Sequence, residues 1–416
     1  MVELVAFLIF LTALLGFINV KFIKFPEVIG LMALSSLLSI AMTLANDIYP
    51  NGFAFFSENL AKIDFKGLVF DGILSFLLFA GAFHTDLKSL KVEKVSIALL
   101  AIFGVIISTF VAGFGFDVVS TALGQPAPFL ICLLFGALIS PSDPIAVLGI
   151  MKKAGAPKKL QLNIIGESLF NDGIGIVVFT VIYGMAFANK QLVLWDIFKL
   201  FALEAGGGFL FGILLGYIGY FALKAIDHYE TELIITIALV MCGYTAAKYL
   251  HISGPLAMVV CGLITGSKSK ELAMTDRTRE YLDSFWETAD MLLNALLFVL
   301  IGLELIVIQH TIGFVVLSIF AIVVILIARY LSVIIPILFF NRWMKMPKKS
   351  EFLLTWGGLK GGLSLAMALS IPLGNPHRDL VIFVTYATVL FSIIVQGLTL
   401  EKVILWTKKR MPQESD

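Results

Sequence analysis

Polar residues that could hold a cation interrupt one of the most apolar stretches of the chain. The run from Ser140 to Pro144 reads Ser-Pro-Ser-Asp-Pro, and apolar residues flank it over about 128–150. Each proline removes a backbone donor and clashes with the preceding turn, so a continuous helix is not expected here. Broken backbone at membrane depth is tolerated where it is buried in protein or lines a wet cavity. We therefore expect backbone carbonyls and the Ser142 and Asp143 side chains to be available as cation ligands.

A second polar run places a hydroxyl and a carboxylate together. Ser168 and Asp172 stand four residues apart and share one face of a helix, while Glu167 and Asn171 share the adjacent face. Hydroxyl and carboxylate oxygens are hard ligands, which suit a small alkali cation better than a soft transition metal. Neither run contains His or Cys, which argues against zinc or copper.

A third run surrounds a lone lysine with glycines. Residues 356–364 read Trp-Gly-Gly-Leu-Lys-Gly-Gly-Leu-Ser, so Lys360 is predicted to lie in a second interrupted helix. Two interrupted segments in corresponding places of two halves point to an inverted-repeat transporter. Arg329 lies in another apolar run and needs an anionic partner, for which Glu167 is the first choice. A structural ion pair is the plainer interpretation of such buried charges.

The composition requires a membrane around these residues. Hydrophobic residues make up 59% of the chain and charged residues 14%, whereas soluble domains have about 45–50% and about 25%. Apolar stretches of about 20 residues, enough to cross a bilayer as helices, recur along the chain. Residues 1–416 are therefore predicted to form one all-α polytopic membrane domain with about thirteen transmembrane helices. The predicted spans are 3–20, 26–45, 68–85, 95–116, 128–150, 160–187, 196–223, 231–249, 255–267, 288–308, 312–340, 352–373 and 379–405.

Other features of the sequence set limits on its partners. The net charge of +1 gives no sign of nucleic-acid binding. Cys132, Cys242 and Cys261 lie in apolar spans without paired spacing, so neither a disulfide nor a metal site is expected.

Residues 268–287 mix basic and aromatic side chains and are predicted to form an amphipathic helix at the interface. Asp290 lies near the end of a predicted span, where a solvated or snorkelling side chain is expected.

The basic residues predict the orientation. Thirteen spans place 22 of the 30 Lys and Arg residues on one side and five on the other, and three remain inside spans. Cytoplasmic loops carry the excess of Lys and Arg, so the N-terminus is predicted outside and the C-terminus inside. The first apolar run lacks the basic region of a signal peptide and is predicted to be a retained transmembrane helix.

The polar runs, in their order and spacing, resemble the NhaP-type sodium/proton antiporters of the cation/proton antiporter family, which includes the animal sodium/proton exchangers. The resemblance covers nearly the whole chain and implies thirteen helices with an inverted repeat, whose two broken helices cross near the midplane. It also implies a homodimer in the plasma (inner) membrane. Core helices would include about 68–187 and 288–405, and interface helices about 1–45 and 196–267.

The resemblance further implies roles for individual residues. Asp172 would be the site shared by cation and proton, with sodium bound at Asp172, Ser168 and Ser142. Asp143 would add a ligand, and Asn171 would link the core helices. No cofactor is implied, and the transported ions would be sodium, lithium or potassium together with protons, typically one proton per cation when Asn precedes the aspartate.

Two residues depart from the family pattern. Ser142 replaces the usual Thr, and Lys360 replaces the usual Arg, which alone could form a planar bidentate fork. The partner of Lys360 therefore stays open.

Three other functions are weighed against sodium/proton exchange. A potassium/proton antiporter on the same scaffold is the first, because one carboxylate with hydroxyls does not fix the ion's size. A channel is disfavoured by the lack of a repeated filter segment. An intramembrane aspartyl protease using Asp143 and Asp172 would leave the flanking prolines and Asn171 unexplained.

Overall fold

The computed structural model of the chain describes residues 2–48, 67–187, 194–304, 311–347 and 349–408. Every regular element within these ranges is a helix. In the first half these are α1 (Val2–Ile18), α2 (Glu27–Ile48), α3 (Leu74–Phe83), α4 (Leu87–Val92), α5 (Lys94–Ala122), α6 (Phe129–Ile139), α7 (Ile145–Lys153) and α8 (Lys158–Phe187).

The second half continues in the same manner. Its helices are α9 (Leu194–Phe201), α10 (Gly207–Lys224), α11 (Tyr229–Tyr249), α12 (Gly254–Leu263), α13 (Lys270–Leu272), α14 (Asp276–Glu304), α15 (Ile312–Met344), α16 (Ser350–Trp356), α17 (Gly362–Leu369), α18 (Arg378–Phe391) and α19 (Gly397–Lys408). Short π-helical segments extend or join several of them, at Asn19–Ile23, Leu68–Ile73, Ala202–Gly206, Ile264–Ser269 and Ser392–Gln396.

Many of these helices have the length and composition of membrane spans. In the described part of the chain, eight are long and apolar enough to cross a bilayer, and three shorter apolar helices accompany them. The all-α membrane architecture is confirmed, whereas the number thirteen stays a prediction. The predicted spans 128–150 and 352–373 are each divided into two short helices, α6 with α7 and α16 with α17.

One sequence prediction about helix boundaries is wrong. Residues 268–287 do not form a separate interfacial helix, because α14 begins at Asp276 and continues through Glu304. No proline and no glycine before Gly302 interrupts this stretch, so the amphipathic part extends directly into the apolar part. Trp286 is fully buried, with its ring centroid 4.7 Å from that of Phe79. This segment therefore packs against protein rather than lying free at a membrane surface.

Glycines allow the closest helix contacts. A Cβ built on Gly136 of α6 would lie 2.1 Å from the carbonyl oxygen of Thr109 in α5. A Cβ on Gly212 of α10 would lie 2.6 Å from the carbonyl oxygen of Ala257 in α12. Small residues at such points let backbones approach, which is a common means of packing membrane helices. Helix α5 thereby supports α6, the first half of the interrupted pair.

Candidate functional site

The first interruption leaves polar backbone in the interior. Helix α6 ends at Ile139 and α7 begins at Ile145, with Pro141 and Pro144 in the gap. Ser140, Pro141 and Ser142 are buried. Because prolines prevent the helix from continuing, the carbonyls of Ser140 and Pro141 need partners from elsewhere in the fold.

Lys360 supplies those partners. Its Nζ donates to the carbonyl oxygens of Ser140 at 3.0 Å and Pro141 at 3.1 Å. The lysine side chain is buried, with 2% of the residue exposed. A cation at the C-terminal end of a helix also interacts favourably with the helix dipole. The partner of Lys360 that the sequence left open is thus a pair of backbone carbonyls. The lysine ammonium group can donate to both of them, so the planar guanidinium of an arginine is not needed here.

The two interruptions are hydrogen-bonded to each other. The second gap lies between α16 and α17, at residues 357–361. The backbone N–H of Asp143 donates to the carbonyl oxygen of Leu359 at 2.7 Å. The backbone N–H of Lys360 donates to the Ser392 hydroxyl at 2.9 Å, which anchors the second gap to the π-helical segment after α18. The two gaps therefore form one hydrogen-bonded unit.

The glycines of the second gap are required by close approach. A Cβ on Gly361 would lie 2.4 Å from Oδ2 of Asp143, and a Cβ on Gly358 would lie 2.3 Å from Nε of Arg329. Neither glycine has a positive φ angle. Any side chain at these positions would displace a charged group from its place.

Helix α8 presents its polar run to the first gap. The Ser168 hydroxyl donates to the carbonyl oxygen of Ser142. Asn171 Nδ2 donates to the Ser142 hydroxyl at 2.9 Å, and Asn171 Oδ1 accepts from the Ser142 backbone N–H at 3.5 Å. Both side chains are buried. Asn171 thus joins α8 to the first gap, and Ser168 adds a second connection.

A cavity of about 600 Å³ brings the predicted ligands together. Ser142, Asp143, Ser168 and Asp172 all line it, whereas Asn171 does not. Asp172 is partly exposed to the cavity. The Asp172 carboxylate lies near enough to Asp143 and Lys360 for their charges to interact. The lining also includes His84, Asp86 and Lys152 at the ends of α3, α4 and α7, and because these three residues are exposed we take them as the cavity mouth.

Glu167 and Arg329 form a buried ion pair beside this cavity. Arg329 Nη1 contacts Glu167 Oε1, and Nη2 donates to Oε2 at 3.0 Å. Nη2 also donates to the carbonyl oxygen of Leu354 in α16 at 3.0 Å. Neither residue lines the cavity. The pair connects α8, α15 and α16 next to the site without reaching the space that a cation would occupy.

Sequence reasoning missed one group in the cavity wall. Asp290 lines the cavity together with Glu287, Asn294 and Leu297. These residues recur every three or four positions along α14, the spacing of one helix face. The place of Asp290 near a span end stays a prediction, because a continuous helix such as α14 does not mark the edge of the bilayer. The periodic polar face was the signal that could have located it.

Other groups lie apart from this site. A second cavity, of about 670 Å³, is lined by residues that include Glu204, Lys248 and His251, and it contains none of the predicted site residues. Among the residues with described positions, no group of three or more His, Cys, Asp or Glu side chains could hold a metal ion.

Comparisons with known proteins give consistent matches. The family model described as sodium/hydrogen exchanger, transmembrane, matches residues 7–406. The Na⁺/H⁺ antiporter NhaP of Pseudomonas aeruginosa is 44% identical over 97% of this chain and 96% of its own length. The Na⁺/H⁺ antiporter NhaH of Halobacillus aidingensis is 34% identical over 82% and 83% of the two chains. The structure of the sodium proton antiporter MjNhaP1 from Methanocaldococcus jannaschii has the same fold, with a TM-score of 0.77, 20% identity and coverage of 97% of both chains.

Proposed function

Because the chain belongs to the sodium/hydrogen exchanger family, we propose that it is a secondary active transporter that exchanges sodium or lithium for protons at Asp172. It is an integral membrane protein and a transporter rather than an enzyme, and the family requires no cofactor. This excludes the aspartyl protease.

One observation carries the proposed site. Asp172, Ser168 and the first helix gap meet at a cavity in the protein interior. Burial disfavours an uncompensated carboxylate, so a proton or a cation must neutralise it. The same carboxylate can take either one, and binding of one excludes the other. Exchange then requires only that the loaded site be presented to the two sides of the membrane in turn.

The other residues divide into ligands and supports. Ser142, Ser168 and Asp143 supply oxygen ligands around a sodium ion held by Asp172. Asn171 holds the first gap against α8 through the Ser142 hydroxyl at 2.9 Å. Lys360 donates hydrogen bonds to the buried carbonyls of the gap. Glu167 and Arg329 fix the neighbouring helices.

Competition between sodium and protons gives the experimental test. The apparent sodium affinity of the purified protein should fall as the pH is lowered, by about tenfold per pH unit in the acidic range where the site is mostly protonated. The measurement is sodium-driven proton release from proteoliposomes with an acidic interior, repeated over a pH series. With the membrane potential clamped at different values, the rate should stay constant if one proton leaves for each sodium ion.

Three results would count against this function. A sodium affinity that ignores pH would contradict a shared site, and rates that follow the clamped potential would contradict one-to-one exchange. A response to potassium in place of sodium would identify the alternative substrate. Lithium should act like sodium, and empty vesicles are the control.

We infer an inverted repeat, a division into moving and static helices, and a homodimer. The two interrupted pairs, α6 with α7 and α16 with α17, occupy corresponding places in the two halves. Core helices include about 68–187 and 288–405, and interface helices about 1–45 and 196–267.

Large apolar side chains on α10 are exposed in a single chain, among them Leu210, Leu214 and Phe221. Such a surface suits either lipid or the partner copy in a dimer.

The proposed orientation makes a separate prediction. A reporter fused after Asp416 should be active in the cytoplasm, because basic loops stay on that side of the plasma (inner) membrane. A tag at Asn51 should react with an impermeant reagent applied from outside. Both positions lie outside the described residues. With this orientation the cavity mouth at Asp86 and Lys152 faces the cytoplasm. An external C-terminus would overturn the assignment of sides.

A further inference from the structure

One face of α14 extends from the cavity mouth into the interior. Glu287, Asp290, Asn294 and Leu297 line the cavity in succession. Glu287 is exposed, Asp290 is half-buried, and Asn294 is 3% exposed. A cation that moves along this wall toward Asp172 would therefore pass Asp290 and Asn294 where water is being excluded.

The amide of Asn294 has a fixed orientation. Its Nδ2 donates to Oδ1 of Asp290 at 3.1 Å and to the backbone carbonyl oxygen of Asp290 at 2.9 Å. Only the nitrogen can donate, so these two bonds identify Oδ1 as the other amide atom. That Oδ1 is buried, and no described residue donates a hydrogen bond to it. A buried carbonyl oxygen without a partner is unfavourable and calls for a ligand.

The Asp290 carboxylate also needs compensation. Within the described ranges it makes no ion pair with a basic side chain. It lies near enough to Asp143 for the two negative charges to interact. A half-buried carboxylate beside another carboxylate attracts a cation.

We propose that Asp290 and Asn294 form a second cation subsite in the cavity wall, which takes a sodium or lithium ion as it moves between the mouth and Asp172. The Asp290 carboxylate supplies the charge, and Asn294 Oδ1 supplies a neutral oxygen. Both are hard ligands of the kind that alkali cations use. Water from the cavity completes the coordination. The subsite rests on the proposed function, since it serves a cation that is bound again at Asp172.

The first experiment separates the two sites by equilibrium binding. Radioactive sodium is bound to the full-length chain, purified in detergent, in the Asp172→Asn background. Weak, saturable binding should remain and should disappear in the Asp172→Asn/Asp290→Asn double variant. Equal binding by the single and double variants would overturn the subsite.

The second experiment measures exchange in proteoliposomes. Asp290→Asn should raise the KM for sodium by about tenfold, as expected for the loss of one charged ligand, with kcat within about twofold of the wild type. Asn294→Leu, which keeps the side-chain volume, should raise KM in the same direction. Glu280→Gln removes an exposed carboxylate from the same helix and should leave both constants unchanged.

Further variants keep both experiments decisive. If Asp290→Asn is not recovered as folded protein, Asn294→Leu and the charge-preserving Asp290→Glu take its place, and Asp290→Glu should retain more affinity than Asn294→Leu. Unchanged KM in all cavity-wall variants, or a loss of kcat at constant KM, would reject the subsite. A wild type that exchanges nothing would reject the proposed function, while Asp290-dependent binding in the Asp172→Asn background would still support the subsite.

Discussion

The Asp172→Asn variant should fold normally and exchange no sodium for protons. Asparagine has nearly the same size as aspartate, and no ion pair to Asp172 is lost within the described ranges, so the packing around α8 should be preserved. The amide can neither release a proton at the pH of a cell nor supply the negative charge that replaces part of an ion's hydration shell. Both halves of the cycle depend on that charge, so activity should fall to the level of empty vesicles.

This result needs a matched control and a folding measurement. Asp276→Asn makes the same chemical change at a fully exposed position of α14 and should exchange at the wild-type rate. Size-exclusion chromatography and thermal unfolding in detergent should not distinguish Asp172→Asn from the wild type. Exchange by folded Asp172→Asn protein above the vesicle background would eliminate the single-site mechanism.

The Glu167–Arg329 pair gives the second large effect, on folding rather than on ion binding. Glu167→Gln and Arg329→Met each leave one buried charge without its partner, which costs on the order of 3–5 kcal/mol. Arg329→Met also removes the donor to the Leu354 carbonyl. Each single variant should therefore yield much less folded protein in the membrane, and the surviving fraction should unfold at a lower temperature.

The double variant identifies how much of this loss belongs to the pair. Glu167→Gln/Arg329→Met removes both charges, so its loss should be smaller than the sum of the two single losses. The yield of monodisperse protein and the midpoint of thermal unfolding are the quantities to compare. Additive losses would mean that the two side chains contribute independently.

A glycine substitution perturbs the same pair without removing either charge. Gly358→Ala would place a Cβ 2.3 Å from Arg329 Nε and should reproduce part of the loss. Gly184→Ala in α8 is the control, because its Cβ would meet nothing within 4 Å. Equal stability of these two alanine variants would show that Arg329 has room to move.

The sequence predicted those features that depend on local chemistry. Prolines at 141 and 144 predicted the first gap, and the four-residue spacing placed Ser168 and Asp172 on one face. The apolar runs predicted the helical membrane architecture. Each inference needed only residues within one or two turns of a helix.

Features that depend on distant residues could not be obtained in this way. The carbonyls that Lys360 contacts lie 219 and 220 residues away along the chain. Glycine is needed at Gly358 because of Arg329 in α15 and at Gly361 because of Asp143 in the first gap. The glycine-rich run alone indicated only an interrupted helix. The contact of Asp290 with the cavity could not be foreseen, because the other walls of the cavity come from distant parts of the chain.

The attachment of the two gaps to each other bears on the rates of transport in the two directions. Asp143 bonds to Leu359, and Lys360 bonds to Ser140 and Pro141, so the two gaps are attached to each other. We expect such a unit to keep the same ligands whichever side of the membrane it faces. Equal affinity on the two sides leaves the protein without a preferred direction. The sodium and proton gradients alone set the direction of net flow, and with equal affinities the rates of exchange in the two directions should be equal when the gradients are mirrored.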